Sequence, residues 1–134
     1  MKRGEVRVRV TYADTDAMGI VYHANYIKWF EIGRTECFRD MGVVYADIEA
    51  QGYYLPLSEV YCHYIAPARY DDILVVETEV AYIRRASIKF LYTIRDEMKE
   101  REIAEGYTLH AFTDKGGTIV RAPEYFLKGV KDNL

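Results

Sequence analysis

One stretch of helical periodicity, followed by a succession of period-two stretches, constrains this chain more than any other feature. From about Asn25 to Met41 the apolar or small residues Tyr26, Ile27, Phe30, Gly33, Cys37, Phe38 and Met41 recur at intervals of three and four, while Lys28, Glu31, Arg34, Glu36 and Arg39 mostly face elsewhere. That spacing predicts a single amphipathic helix, ended by Gly42. Before it, residues 5 to 12 put Val6, Val8, Val10 and Tyr12 on one face of a strand. After it, one or two helical turns are expected over Tyr45 to Gln51. Strands are then expected over about 55–65, cut off by Pro67, and over 72–83, 87–96 and 102–113, with a short one at Thr118–Arg121 and a last helical turn beyond Pro123. The gaps at 84–86 and 97–101 are of hairpin length, and no crossover helix is available for parallel neighbours, so the strands pair antiparallel. The fold class is α+β: one long helix serves a mainly antiparallel sheet of five to six strands, which curves around it. A single helix leaves an edge or a face uncovered, which predicts self-association as a homodimer at least, with dimer and homotetramer left open.

The chain's 134 residues give one domain, 1–134, with no room for a separate cofactor domain. Half the residues are hydrophobic and the net charge is −3 with Lys and Arg scattered, which excludes disorder and gives no electrostatic footprint for nucleic acid. The start, MKRGEVRVRV, has no apolar leader, and no uncharged run approaches the roughly 18 residues of a membrane span, so a cytoplasmic location is expected. Cys37 and Cys62 read as reduced thiols of the core. The 13 tyrosines favour half-buried surfaces without naming a function. His23, His63 and His110 lack metal-ligand spacing, Ser58 and Ser87 lie in no nucleophile elbow, and Gly116-Gly117 precedes no helix. Neither metal nor cofactor is expected.

Chemistry is concentrated between the first strand and the helix, in YADTDAMGIVYHANY, residues 12 to 26. A helix N-terminus carries backbone N–H groups without intrahelical partners, and these can stabilise a developing oxyanion. A carboxylate one loop away, such as Asp16, could attack an acyl carbon or orient water toward it. Asp14 reads instead as a turn or capping residue.

The string YADTDAMGIVYHANYIKWFEIGRTE resembles the signature of the YbgC and 4-hydroxybenzoyl-CoA thioesterase group of hotdog-fold acyl-CoA thioesterases. The segments 64–72 and Arg84-Arg85-Ala86-Ser87 resemble that family's second strand with its turn and its following hairpin. The resemblance implies a hotdog fold and hydrolysis of acyl-CoA to free acid and CoA. It implies Asp16 as the catalytic carboxylate, the His23 backbone N–H as polarising donor, and the His23 ring and Tyr12 as further participants. His at position 23, where the 4-hydroxybenzoyl branch has Tyr, leans toward YbgC. Asn25 is expected to fix the loop beside the substrate, Arg84 and Arg85 to meet CoA phosphates with Ser87 and Lys89 in weaker support, and Glu59 to approach the acyl pocket across a dimer interface. CoA is then part of the substrate, not a cofactor. The alternative is a non-catalytic hotdog module that binds acyl-CoA or acyl carrier protein. A hotdog dehydratase would want a His with an Asp on the long helix, and Asp40 has no such partner. The acyl group, the thiol carrier, and the choice between nucleophile and general base for Asp16 are left open.

Overall fold

A computed structural model describes residues 4–98 and 100–133; the ends of the expected domain, residues 1–3 and 134, lie outside the described residues. The elements run β1 (Gly4–Arg9), a 3-10 turn (Tyr12–Asp14), α1 (Asn25–Asp40), α2 (Tyr45–Ala50), β2 (Leu57–Tyr64), β3 (Ile73–Ile83), β4 (Ser87–Asp96), β5 (Arg101–Ala111) and α3 (Glu124–Lys131). All strand pairs are antiparallel, in the order β1-β3-β4-β5-β2. The chain therefore uses α1 and α2 to cross from one edge of the sheet to the other. Both edges stay open to solvent or to a partner.

Alternation along the strands decides which face meets α1. Leu74, Val76, Thr78 and Val80 of β3 and Ile88, Phe90, Tyr92 and Ile94 of β4 are buried, while their neighbours Glu77, Glu79, Lys89 and Leu91 point to the helix-free face. Helix α1 brings Phe30 onto Tyr92, stacked at 4.2 Å, and Phe38 edge-on to Phe90 at 5.2 Å. Burying each such ring contributes about 2–3 kcal/mol, and truncating either to Ala costs about 3–5 kcal/mol. Gly33 sits where α1 comes closest to β3. A Cβ there would collide with the Thr78 hydroxyl and the Val76 methyl, so the helix can seat this deeply only on glycine.

Three sequence expectations need adjustment. Residues 118–121 form no strand: Ile119 makes one bridge to Thr113, because the Asp114 carboxylate accepts the Gly116 and Thr118 N–H groups and holds the chain in a turn. The last helical turn is a full helix of 8 residues, seated by Phe126, Leu127 and Val130. Trp29, three residues after Tyr26 and four before Gly33, joins the buried stripe of α1 and is only 2% exposed, which widens that face.

Candidate active site

The segment between β1 and α1 folds around two carboxylates two residues apart. Asp14 is buried. Its carboxylate accepts the Thr11 N–H at 2.9 Å, the Thr11 hydroxyl at 3.0 Å and Lys28 Nζ at 3.0 Å. Burial alone would push its carboxyl up, but the Thr11 and Lys28 contacts outweigh it and hold the group below its ordinary value of 3.8. The Asp14 carbonyl accepts Asn25 Nδ2 and the Tyr22 N–H, both at 2.8 Å. Asp14 therefore ties the end of β1 to the first turn of α1, and Asn25 spends its amide on the loop.

Asp16 is held differently. Its Oδ1 accepts the Met18 N–H at 2.9 Å, and its carbonyl accepts the Gly19 N–H at 3.0 Å, closing a turn in which Gly19 takes a φ of 78°. Its Oδ2 accepts no hydrogen bond among the described residues. Asp16 and His23 line the same open cleft of about 350 Å³, with Met18, Tyr26, Tyr64 and Pro67 among its walls. Helix α1 opens without a capping side chain, since Ala24 stands at the N-cap. Among the described residues no acceptor meets the backbone N–H of His23 or Ala24. The cleft thus has a carboxylate oxygen with spare lone pairs on one side and unpaired amides at the positive end of a helix on the other.

Tyr64 and Tyr26 are site residues that sequence reasoning missed. Tyr64 Oη donates to the His23 carbonyl at 2.9 Å, steadying the peptide just before α1. Burial, first of all, pushes both phenols up to about 12, so each keeps its O–H at neutral pH. The signal for Tyr64 was the alternation of β2: Val60, Cys62 and Tyr64 share the helix-facing side, opposite Glu59, Tyr61 and His63.

Other expected site residues lie apart from the cleft of their own chain. The Tyr12 ring is 74% exposed and stacks on Tyr70 at 4.0 Å. Glu59 is on the helix-free face, where its carboxylate accepts Tyr107 Oη at 3.2 Å. Arg84 lies over the Tyr82 ring at 4.0 Å, Arg85 is exposed beside it, and the Ser87 carbonyl accepts the Arg84 N–H at 2.8 Å. Lys89 sits over Tyr107 at 4.2 Å. This β3–β4 hairpin and the cleft, which adjoins the segment entering β3, are separated by the length of β3, roughly 30 Å. Among the described residues no cluster of three or more His, Cys, Asp or Glu could hold a metal ion, and no helix is long and apolar enough to cross a membrane.

The thioesterase-like superfamily model matches residues 10–130. The acyl-CoA thioester hydrolase YbgC of Escherichia coli O6:H1 is 39% identical over 87 residues, 65% of this chain and 65% of its own. Among solved structures, a hypothetical protein TT1821 from Thermus thermophilus superposes with a TM-score of 0.92 at 30% identity, over 98% of this chain and 99% of that one. A DHNA-CoA thioesterase from Staphylococcus aureus superposes with a TM-score of 0.90 at 29% identity, over 96% and 86% of the two chains. The five-stranded antiparallel sheet around α1 is the hotdog arrangement.

Proposed function

Because this chain belongs to the thioesterase-like superfamily, we propose that it hydrolyses acyl-CoA thioesters, with Asp16 as the nucleophile or general base and the start of α1 as the oxyanion site. The observation that carries this reading is that Asp16 lines one cleft with His23, whose N–H has no acceptor among the described residues. With the thioester oxygen on that amide, either Asp16 Oδ2 or a water it deprotonates adds to the carbonyl carbon. The C=O pair moves onto oxygen, where the helix end stabilises it. Collapse breaks the C–S bond and expels the CoA thiolate, which leaves without strong acid help because an ordinary thiol pKa is about 8.5. On the nucleophilic route a mixed anhydride forms, and water then cleaves it to free acid and the original carboxylate. Tyr64, by gripping the His23 carbonyl, holds the peptide plane that carries the Ala24 N–H, the second unpaired amide at the helix start. His23 lines the same cleft, and its ring can relay a proton, taking one at one nitrogen as it gives one to the departing thiolate from the other.

The arginine pair joins the site only through a second copy. Strand β2 is an edge, and Leu57, Val60, Tyr61 and Tyr64 along it are each 45–50% exposed. Antiparallel pairing of two β2 edges sets the Leu57 end of the partner beside the Tyr64 end of the first chain. That brings the partner's β3–β4 hairpin to about three to four strand spacings, roughly 15 Å, from the cleft. A homodimer of this kind supplies cations for the CoA phosphates and answers the exposed edge. Its free thiols, Cys37 and Cys62, suit a cytoplasmic enzyme. The test is thiol release from a panel of acyl-CoAs graded in length and aromaticity, with wild type and Asp16→Asn. The variant keeps its fold and oligomeric state and loses at least about a hundredfold in turnover. Equal hydrolysis by both proteins removes Asp16 from the mechanism, and binding without hydrolysis by either leaves the non-catalytic acyl-CoA-binding module.

A further inference from the structure

A second cavity, of about 80 Å³, lies between α1, α2 and the sheet, and shares no lining residue with the Asp16 cleft. Glu31, Arg34, Thr35, Tyr45, Leu55 and His110 supply its polar wall. The bonding there runs in one direction. The Leu55 carbonyl can only accept, so His110 Nδ1 carries the proton and donates to it at 3.0 Å. Nε2 must then accept the Thr108 hydroxyl at 2.9 Å, and Thr108 Oγ1 in turn accepts Tyr92 Oη at 2.6 Å. His110 is 2% exposed, and burial holds its pKa down to about 4, so it stays neutral with both nitrogens occupied.

The remaining groups have donors to spare. Tyr45 Oη accepts the Leu55 N–H at 3.2 Å, which leaves its own O–H without an acceptor among the described residues. The Arg34 side chain is 20% exposed, and its nearest carboxylate, on the 66% exposed Glu31, is 4.0 Å away. One of its N–H groups bonds the Tyr92 phenol oxygen, and its charge also acts on Tyr45 and His110; with five donors in the fork, others have no acceptor among the described residues. A part-buried guanidinium with donors to spare is a favourable partner for an anion that reaches it. The cavity is larger than one water requires, and Phe38 and Phe90 give it an apolar side.

We propose that Arg34, Tyr45 and Thr35 form a binding site for a small monocarboxylate, between acetate and butyrate in size, distinct from the Asp16 cleft. The planar fork of Arg34 matches a carboxylate, Tyr45 and Thr35 donate to it, and the phenylalanine rings take the short alkyl tail. Glu31 competes for the same fork. The site does not depend on turnover at Asp16.

Calorimetric titration of the full chain with sodium acetate and sodium butyrate, against sodium chloride at matched ionic strength, tests this. Wild type binds the carboxylates saturably and chloride does not reproduce the heat. Arg34→Gln weakens binding at least about tenfold and Tyr45→Phe severalfold, as expected for loss of a charged and a neutral hydrogen bond. Glu31→Gln tightens it, and Asp16→Asn leaves it unchanged. Equal affinity in wild type and Arg34→Gln, or loss of binding in Asp16→Asn, overturns the proposal. Should Arg34→Gln fail to fold, the opposite shifts of Tyr45→Phe and Glu31→Gln decide, and no shift in either overturns it.

Discussion

The start of α1 and the buried line Tyr92–Thr108–His110 are built from similar polar groups, yet they are finished differently. In the core line every proton has an acceptor: Tyr92 donates to Thr108, Thr108 to His110, and His110 to Leu55. At the start of α1 the amides of His23 and Ala24 meet no acceptor among the described residues, and Asp16 uses one carboxylate oxygen on Met18. The satisfied region is closed on itself, and the unsatisfied one keeps donors and an acceptor open to the cleft. Asp14 makes the contrast within two residues of Asp16. Both oxygens of its carboxylate are bonded, Oδ2 to Thr11 and Oδ1 to Lys28, so it positions the loop.

The sharpest way to break this division is to change the two carboxylates separately. Asp16→Asn is expected to abolish at least about a hundredfold of turnover with an unchanged melting temperature, read by thiol release and calorimetry side by side. A large stability loss in that variant would move Asp16 into the structural class.

His110 provides the next test. Its pKa falls from 6.5 to about 4 on folding, so between those values the unfolded chain binds a proton that the folded chain refuses. Its stabilising effect is complete above pH 6.5 and is lost progressively down to about pH 4, a change of about 3 kcal/mol. Urea denaturation across that window should show the loss in wild type and a shallower slope in His110→Gln.

Asp14→Asn is expected to cost about 1–3 kcal/mol in urea denaturation, because it leaves Lys28 without its carboxylate and removes an acceptor from Thr11. The folded value of Asp14 lies below 3.8, so its contribution is present above that pH and lost as acid titrates through the lower value; the variant should lack that step. The smallest effect is expected for Tyr64→Phe. It deletes one hydrogen bond to the His23 carbonyl, worth about 1 kcal/mol, and should lower kcat severalfold while KM stays near wild type. A change in KM alone would make Tyr64 a wall of the cleft rather than a support for the oxyanion donor.

Local chemistry was legible in advance where it is written in periodicity and turn residues. The helix of residues 25–40, four of the five strand positions within two residues, and the loop bearing Asp16 follow from apolar spacing and from Gly19, Asn25 and the two aspartates. Trp29 belongs to the same stripe, three residues after Tyr26 and four before Gly33, and is buried with it. Tyr64 was not legible, because its role depends on β2 lying at the far edge, beside β5, where its side chain reaches the start of α1.

The sequence by itself determined the elements, their antiparallel connection and the segment that carries the carboxylate, since each depends on residues within a turn or a hairpin of one another. Only tertiary structure decided which of these groups meet. Strand order puts Asp16, His23 and Tyr64 on one cleft and sends Arg84 and Arg85 to the other end of β3. It also sets Arg34 and Tyr45, 11 positions apart in the chain, on the wall of one cavity. Spacing along a chain fixes which way a side chain points, but the distance between two side chains is set by how the sheet is ordered and how deeply the helix sinks onto it.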